Sequence, residues 1–156
     1  MPHAASIYIN GEWTAPEAAG TVTIENPATL EPLGDAALCT AGDVDRAVAA
    51  ARAAQRAWWR IPGVEKAGLF REAAGRIRGD EEELSRILTL ESGKPHREAR
   101  DCIEWVAACF DYYGEIARRS YGNSVPPVNP HQVNFTVKEP YGVVAAIAPF
   151  NFPLLL

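Results

Sequence analysis

The stretch that decides the fold is "GVVAAIAPFNFP", residues 142–153, in which an unbroken apolar run leads into one amide set among aromatic residues and prolines. Apolar runs without polar alternation are typical of parallel strands that are covered on both faces. Such a strand would place Asn151 just beyond its carboxyl end, where ligands bind in open α/β sheets. The stretch therefore predicts an α/β fold with a candidate site at Asn151.

Asn151 itself has two interpretations. Its side-chain amide carries two N–H donors and no charge, which suits an oxyanion that forms from a carbonyl group. Alternatively, it caps a helix that begins at Pro153 or holds a turn in place. Because short motifs often occur by chance, the residues alone favour the second interpretation.

Upstream of this stretch, helical periodicity predicts four consecutive helices. Their expected starts are marked by Thr40 with Asp43, by Pro62, by Asp80 with Glu83, and by Pro95. Ser, Thr and Asp side chains accept hydrogen bonds from the first N–H groups of a helix, and Pro lacks an N–H that would otherwise go unpaired. Gly93 is a suitable residue to end the third helix. The predicted helices cover residues 43–59, 62–79, 80–92 and 95–119.

Extended segments flank the helices on both sides. "SIYINGEW" contains Asn10-Gly11, the dipeptide that best fits a tight hairpin turn, and residues 21–39 read as two further strands. Residues 125–139 alternate after a region rich in Gly, Pro and Asn, which predicts an exposed two-stranded arm. The chain is accordingly divided into residues 1–124, the arm at 125–139 and the truncated strand unit at 140–156.

Composition and charge exclude several classes of protein. The 156 residues are 47% hydrophobic and 22% charged, as in a soluble globular protein, and the net charge of -5 argues against nucleic-acid or anionic-membrane partners. No apolar run reaches the roughly 20 residues that cross a bilayer. The first ten residues lack the layout of a signal peptide, so a cytoplasmic location is expected.

The order of several motifs resembles the aldehyde dehydrogenase superfamily. "YINGEW", "NPAT", "DVDRAVAAARAAQRAWW", "LTLESGKP" and "EPYGVVAAIAPFNFPLLL" follow one another in that family's order and cover essentially the whole chain. The resemblance implies an NAD(P)-dependent enzyme that oxidises an aldehyde to a carboxylic acid through a Cys thiohemiacetal and a Glu-activated water. It also implies the N-terminal part of that fold, with the first strands of a Rossmann-like cofactor domain and a β-hairpin oligomerisation arm.

The resemblance carries roles onto individual residues. Asn151 matches the oxyanion-stabilising Asn, which reverses the preference for a capping role. The residues expected along NAD or NADP are Ile147, Ala148, Pro149 and Phe150. The residues expected to line the substrate tunnel are Trp105, Phe152 and Leu155, for which ordinary core packing is the alternative. An apolar tunnel would suit an uncharged or hydrophobic aldehyde.

A monovalent cation site is a further implication of the resemblance. Glu91 matches an acidic residue that joins backbone carbonyls near Ile24 and Glu25 in some members, and oxygen ligands suit such a hard cation. The alternative for Glu91 is a solvated carboxylate near a helix end. Lys94 is interpreted as a favourable charge at the end of the third helix.

The family's nucleophilic Cys and its Glu base follow the Asn motif, and neither is present in this sequence. Cys39, Cys102 and Cys109 lack the nucleophile's context and are interpreted as small packing residues. The chain is therefore expected to be the N-terminal third of a longer protein, inactive alone, whose full-length form is a homodimer or homotetramer acting on a small aldehyde. The alternative is a non-catalytic interaction module, and a weaker one is an enzyme that passes its acyl group to coenzyme A.

Overall fold

The computed structural model describes residues 5–17 and 20–156, so the predictions that fall on residues 1–4 and 18–19 lie outside the described residues. Within the described ranges, three antiparallel strand pairs accompany four helices. In chain order the elements are β1 Ile7–Ile9, β2 Glu12–Thr14, β3 Thr21–Glu25, β4 Pro32–Ala37, α1 Ala41–Arg60, α2 Gly63–Gly79, α3 Glu81–Ser92, α4 His96–Ala117, β5 Ser124–Val125 and β6 Asn134–Phe135. The predicted combination of strands and four helices is confirmed.

The two N-terminal strand pairs form where turn chemistry predicts them. β1 pairs with β2 through a two-residue turn in which Asn10 and Gly11 have φ angles of 54° and 85°. Both angles lie in the left-handed region that this turn type requires. β3 pairs with β4 in antiparallel register, with Thr21 opposite Ala37.

A capping box starts α1, as the Thr40 and Asp43 pattern predicts. The Thr40 hydroxyl accepts a hydrogen bond from the Asp43 N–H, and the Asp43 carboxylate accepts one from the Thr40 N–H at 2.8 Å. The Glu17 N–H also donates to Asp43, at 3.0 Å, and Arg46 forms an ion pair with it. These bonds, first of all the one from the Thr40 backbone, hold the pKa of the Asp43 carboxyl well below its usual range.

The apolar side of α1 is exposed in this chain. Val44, Trp58 and Trp59 keep 56%, 43% and 55% of their surface accessible. Helical periodicity predicts α1 correctly, but the residues that carry the periodicity do not enter the core of the described chain.

The core lies between α2, α3 and α4. Its buried apolar members are Ala67, Ala74, Leu88, Ala99, Cys102, Ile103, Val106 and Ala107. α2 and α4 run antiparallel, because Gly114 lies against Ala67 and Phe70 while Arg78 pairs with Glu104. A Cβ added at Gly114 would come within 2.8 Å of the Phe70 Cβ, so the two helices cross at very short range.

One capping prediction is wrong. Asp80 precedes α3 as expected but makes no side-chain cap bond, and Glu83 pairs with Arg86 instead. Asp80 is also the C-cap that follows α2, with φ -100° and ψ 13°, so it does not take the extended backbone that a capping side chain needs. Gly93 ends α3 with φ 72°, as predicted.

The predicted buried strand at residues 142–149 is not formed. No strand is assigned there among the described residues, and Val144 and Ile147 are 69% and 95% exposed. A strand needs a hydrogen-bonding neighbour, and no described segment pairs with this one. The apolar run therefore lies at the surface as irregular chain.

The arm at residues 125–139 is present as an exposed hairpin. β5 and β6 pair in antiparallel fashion, with Ser124 opposite Phe135. Val128 and Val133 between them are 90% and 85% exposed. Across residues 5–17 and 20–156, none of the helices has the length and apolar character needed to cross a membrane.

Candidate functional site

The candidate site is a turn that folds the C-terminal segment back onto the helices. The Phe152 N–H donates to the Pro149 carbonyl at 3.4 Å, and the Leu156 N–H donates to the Phe152 carbonyl at 3.2 Å. The prolines on either side limit the backbone freedom of this turn. Asn151 lies at the exposed crest of the turn, and Phe152 is half-buried beneath it.

Phe152 anchors the turn to the helical core. It packs against the cluster formed by Leu88 on α3 with Ala99 and Cys102 on α4. An aromatic ring brings a large apolar contact area, so this single side chain accounts for much of the attachment. The turn is thus seated where α3 and α4 meet.

Lys94 adds a polar attachment to the same turn. Its Nζ donates to the backbone carbonyl of Asn151 at 2.7 Å and lies 3.3 Å from Sγ of Cys102. The same ammonium lies 4.0 Å from the centre of the Phe152 ring, within the range of a cation–π interaction. Lys94 follows Gly93 directly, so the left-handed end of α3 is what directs this side chain toward the turn.

The Asn151 side chain is available for a ligand. Only its backbone carbonyl is engaged, and its amide makes no hydrogen bond to any residue in the described ranges. An exposed amide with two free donors on a fixed backbone can bind a carbonyl oxygen and can stabilise negative charge that develops on it. No hydrogen bond joins the Asn151 side chain to the backbone N–H groups of residues 153–156, although a helix cap would make one.

Leu155 borders an apolar cavity next to the turn. The cavity has a volume of about 530 Å³ and is lined by Phe70, Cys109, Phe110, Tyr113, Leu155 and Leu156. Its walls carry no charged group, so an uncharged or apolar ligand would fit it best.

A sequence model of the aldehyde dehydrogenase family matches residues 13–156. The chain belongs to the aldehyde dehydrogenase family. Among its relatives, aminoaldehyde dehydrogenase 2 of Zea mays is 40% identical over 158 residues, an alignment that covers 96% of this chain and 31% of that protein.

Solved structures agree with this assignment. An NADP-dependent enzyme of E. coli superposes with a TM-score of 0.93 and 31% identity, covering 98% of this chain and 32% of that one. PnpE in complex with nicotinamide adenine dinucleotide superposes with a TM-score of 0.91 and 36% identity, covering 98% and 31%. The predicted aldehyde dehydrogenase fold is confirmed, and the chain spans about 31% of the length of these relatives.

The structure separates the three predicted tunnel residues of this aldehyde dehydrogenase chain. Phe152 lies on the α3–α4 cluster and Leu155 on the cavity, so the turn brings these two side chains to adjacent parts of one helical surface. Trp105 is 54% exposed and does not line the cavity. Its position three residues after Cys102 and four before Cys109 still places it on the side of α4 that carries the turn.

The residues predicted to lie along the cofactor form an exposed apolar surface. Ile147 and Phe150 are 95% and 90% exposed, and Ala148 and Pro149 between them are also exposed. Apolar side chains of this kind suit contact with the ring of a nicotinamide. The residues present are thus compatible with the predicted NAD or NADP.

The predicted cation ligands lie on α3 and β3, whose C-terminal ends approach each other. Glu91 is in the last turn of α3 and Glu25 ends β3, and both are exposed. A Cβ added at Gly93 would lie 3.1 Å from Cγ of Pro27, so the end of α3 approaches the turn after β3. No group of three or more His, Cys, Asp or Glu suited to a metal occurs in the described part of the chain. The cation site stays a prediction.

The sequence does not predict the contact of Lys94 with the turn, and the packing role predicted for one cysteine is wrong. The contact between Lys94 and Asn151 joins residues 57 positions apart, and no local pattern marks it. Cys102 is buried and Cys109 half-buried, which agrees with packing roles, but Cys39 is exposed. Cys39 lies two residues beyond the end of β4.

Proposed function

We propose that this chain is the N-terminal part of an aldehyde dehydrogenase that oxidises an aldehyde to a carboxylic acid, with Asn151 as the oxyanion donor. The observation that carries the proposal is the unpaired, exposed amide of Asn151 on a turn held by Lys94 and Phe152. An amide fixed before the reaction stabilises developing charge without the cost of reorganising itself.

The chain's own contribution to the reaction is a prepared hydrogen bond. When a nucleophile adds to the aldehyde carbon, the carbonyl oxygen gains negative charge, and the Asn151 amide donates to it. The amide is neutral, so in the hydrogen-bonded pair of amide and substrate oxygen only the oxygen carries charge. Asn151 therefore binds the oxygen more strongly as the carbon becomes tetrahedral than it does in the free aldehyde.

The cofactor is proposed to be NAD or NADP, which accepts the hydride of the aldehyde carbon. Ile147, Ala148, Pro149 and Phe150 would hold it by apolar contact. Both forms occur among similar structures, since PnpE was solved with nicotinamide adenine dinucleotide and the E. coli relative is NADP-dependent. The choice between the two forms depends on residues beyond these four.

The nucleophilic Cys and the Glu base are proposed to lie in the part of the family that this chain does not span. Cys102 is buried under Phe152, and Cys109 lines the cavity wall on α4. Because Cys102 is buried beneath Phe152, its thiol is not accessible to a substrate. The 156-residue chain alone should accordingly show no aldehyde oxidation above background.

The substrate is proposed to be a small uncharged or apolar aldehyde. The side chains that line the cavity beside Leu155 carry no charge. A highly anionic aldehyde would find no cation among them to offset the loss of its hydration.

The exposed arm is proposed to assemble the full-length protein, in the cytoplasm, as a homodimer or homotetramer. Val128, Val133 and Phe135 are 90%, 85% and 69% exposed, which is costly for a surface that stays in water. The same feature supports the second candidate function, a non-catalytic interaction module, which would assemble in the same way but show no dehydrogenase activity at full length.

Replacing Asn151 in the full-length protein tests the catalytic proposal. Asn151→Ala should lower kcat by about 10²-fold or more, because the loss of one oxyanion donor has effects of that size. The matched control is Asn129→Ala in the arm, where the exposed residue uses only its backbone in hydrogen bonds with Gln132. The control should keep the wild-type rate, and an Asn151→Ala enzyme with the wild-type kcat would remove Asn151 from the reaction.

A further inference from the structure

Lys94 is the side chain that contacts the candidate site without having been assigned a role in it. It stands between α3 and α4, where a lysine is expected to extend into solvent. Instead its Nζ crosses to residues 151 and 152, which are 57 and 58 positions away in the chain. The side chain is half-buried as a result.

The contacts of Lys94 are directed at the backbone of the turn. An ammonium group has three N–H donors, and here one bonds the Asn151 carbonyl at 2.7 Å and one faces Sγ of Cys102 at 3.3 Å. The Phe152 ring covers the same nitrogen at 4.0 Å. The 2.7 Å bond is short, as expected when the donor is charged.

We propose that Lys94 is a positioning residue for Asn151. The ammonium fixes the carbonyl of the residue that carries the reactive amide, which sets the peptide plane after Asn151 and thereby the direction of its Cα–Cβ bond. This inference rests on the proposed function, since it concerns how that amide is aimed. Lys94 touches no reacting atom in this scheme.

A general helix-end charge does not account for this geometry. Lys94 follows the C-terminus of α3, where a positive charge is favourable, but it also precedes the N-terminus of α4, where it is unfavourable. The two effects oppose each other, so the charges of the helix ends do not explain why the side chain is held in one place. The contacts with Asn151, Cys102 and Phe152 explain it.

The test is Lys94→Met in the full-length protein, which keeps the apolar stem and removes the ammonium. We expect kcat for aldehyde oxidation to fall by about 10-fold, because small misplacements of a catalytic group have large effects on rate. The KM for NAD(P)+ should stay within about twofold of wild type, since Lys94 contacts none of the residues assigned to the cofactor. Lys94→Arg, which restores a charged donor, should recover most of the lost rate.

Lys66→Met is the matched control. Lys66 also donates to a backbone carbonyl, that of Trp59 at 3.4 Å, and lies 5.4 Å from the Trp58 ring. It thus makes the same two kinds of contact, but with residues of α1 and not with the turn. We expect it to leave kcat unchanged, and a loss equal to that of Lys94→Met would overturn the proposal.

A double-mutant cycle with Asn151→Ala separates positioning from general stabilisation. If Lys94 acts by aiming Asn151, adding Lys94→Met to Asn151→Ala should change kcat by no more than about twofold, because the group that it aims is already gone. A Lys94 that only stabilises the protein, or acts through its charge at a distance, would give the full 10-fold loss again and refute the proposal. Should Lys94→Met not fold, Lys94→Gln takes its place in the cycle with the same two outcomes.

The two proposals fail in different ways. An Asn151→Ala enzyme with the wild-type kcat ends the proposed function and the positioning role with it. A large loss in Asn151→Ala with none in Lys94→Met ends the positioning role alone.

Discussion

The helical body at residues 63–117 and the segment at residues 140–156 are both rich in apolar residues, but only the helical body has fully buried ones. Ile103 in α4 is fully buried, whereas Ile147 in the segment is 95% exposed. A helix pairs its own backbone groups and needs only a side-chain neighbour, while a strand needs a second strand before it can be buried. The helical body therefore has a buried core of its own, whereas the segment is partly buried only where it docks, at Phe152 and Leu155.

The largest expected effect comes from making the same Ile→Ala change once in each of the two regions. Ile103→Ala should lower the free energy of unfolding of the chain by about 2–5 kcal/mol, because it leaves a cavity in a packed core. Ile147→Ala should change it by no more than about 0.5 kcal/mol, as at other exposed sites. Urea unfolding of both variants measures the difference, and equal losses would show that the segment is buried in solution.

A second prediction concerns how tightly the helical body is packed. Gly114→Ala should destabilise the chain by about 1–3 kcal/mol, because the added methyl meets Phe70 where α2 and α4 cross. Gly75→Ala in α2 is the matched control, since nothing lies within 4 Å of its added Cβ. That control should stabilise the chain by about 0.5–1 kcal/mol, because Ala is a better helix former than Gly. Thermal unfolding would show Tm shifts of opposite sign, and two shifts of the same sign would contradict the described crossing.

The smallest effect sharpens the boundary between the two regions. Phe152→Ala should cost about 1–2 kcal/mol, less than a fully buried Phe, because only part of the ring leaves water. Hydrogen exchange at the Leu156 N–H, which bonds the Phe152 carbonyl, should speed up while the amides of α4 keep their protection. Phe150→Ala changes a residue that is 90% exposed, so it should neither lower the stability nor speed up exchange at the Leu156 N–H. Faster exchange throughout α4 would mean that the two regions unfold together.

The sequence predicts those parts of the fold whose causes are local. The Asn10-Gly11 turn, the Thr40 cap, the Gly93 helix end and the helices themselves depend on residues a few positions apart, and all of them are present in the structure. Asp80 was mispredicted because its backbone serves two helices at once.

Features that depend on distant partners escape sequence reasoning. The apolar run at 142–149 has the composition of a strand, but pairing decides whether a strand forms. In the candidate site, Asn151 is marked by its motif, whereas Lys94 is recognised only once the turn has folded back onto α4. Trp105 lies on the side of α4 that faces Phe152 and Leu155, the other two predicted tunnel residues, but it remains exposed.

The close crossing of α2 and α4 also limits how the neighbouring cavity can adapt. A Cβ at Gly63 would collide with the carbonyl oxygen of Ala117, and one at Gly114 would crowd Phe70. α2 and α4 are therefore in close contact at two separate points. Phe70 and Phe110, whose rings lie 5.6 Å apart, form cavity walls on this rigid frame. The spacing of these two walls is therefore set by the helix pair, and the turn at Leu155 and Leu156 forms the side of the cavity that the pair does not fix.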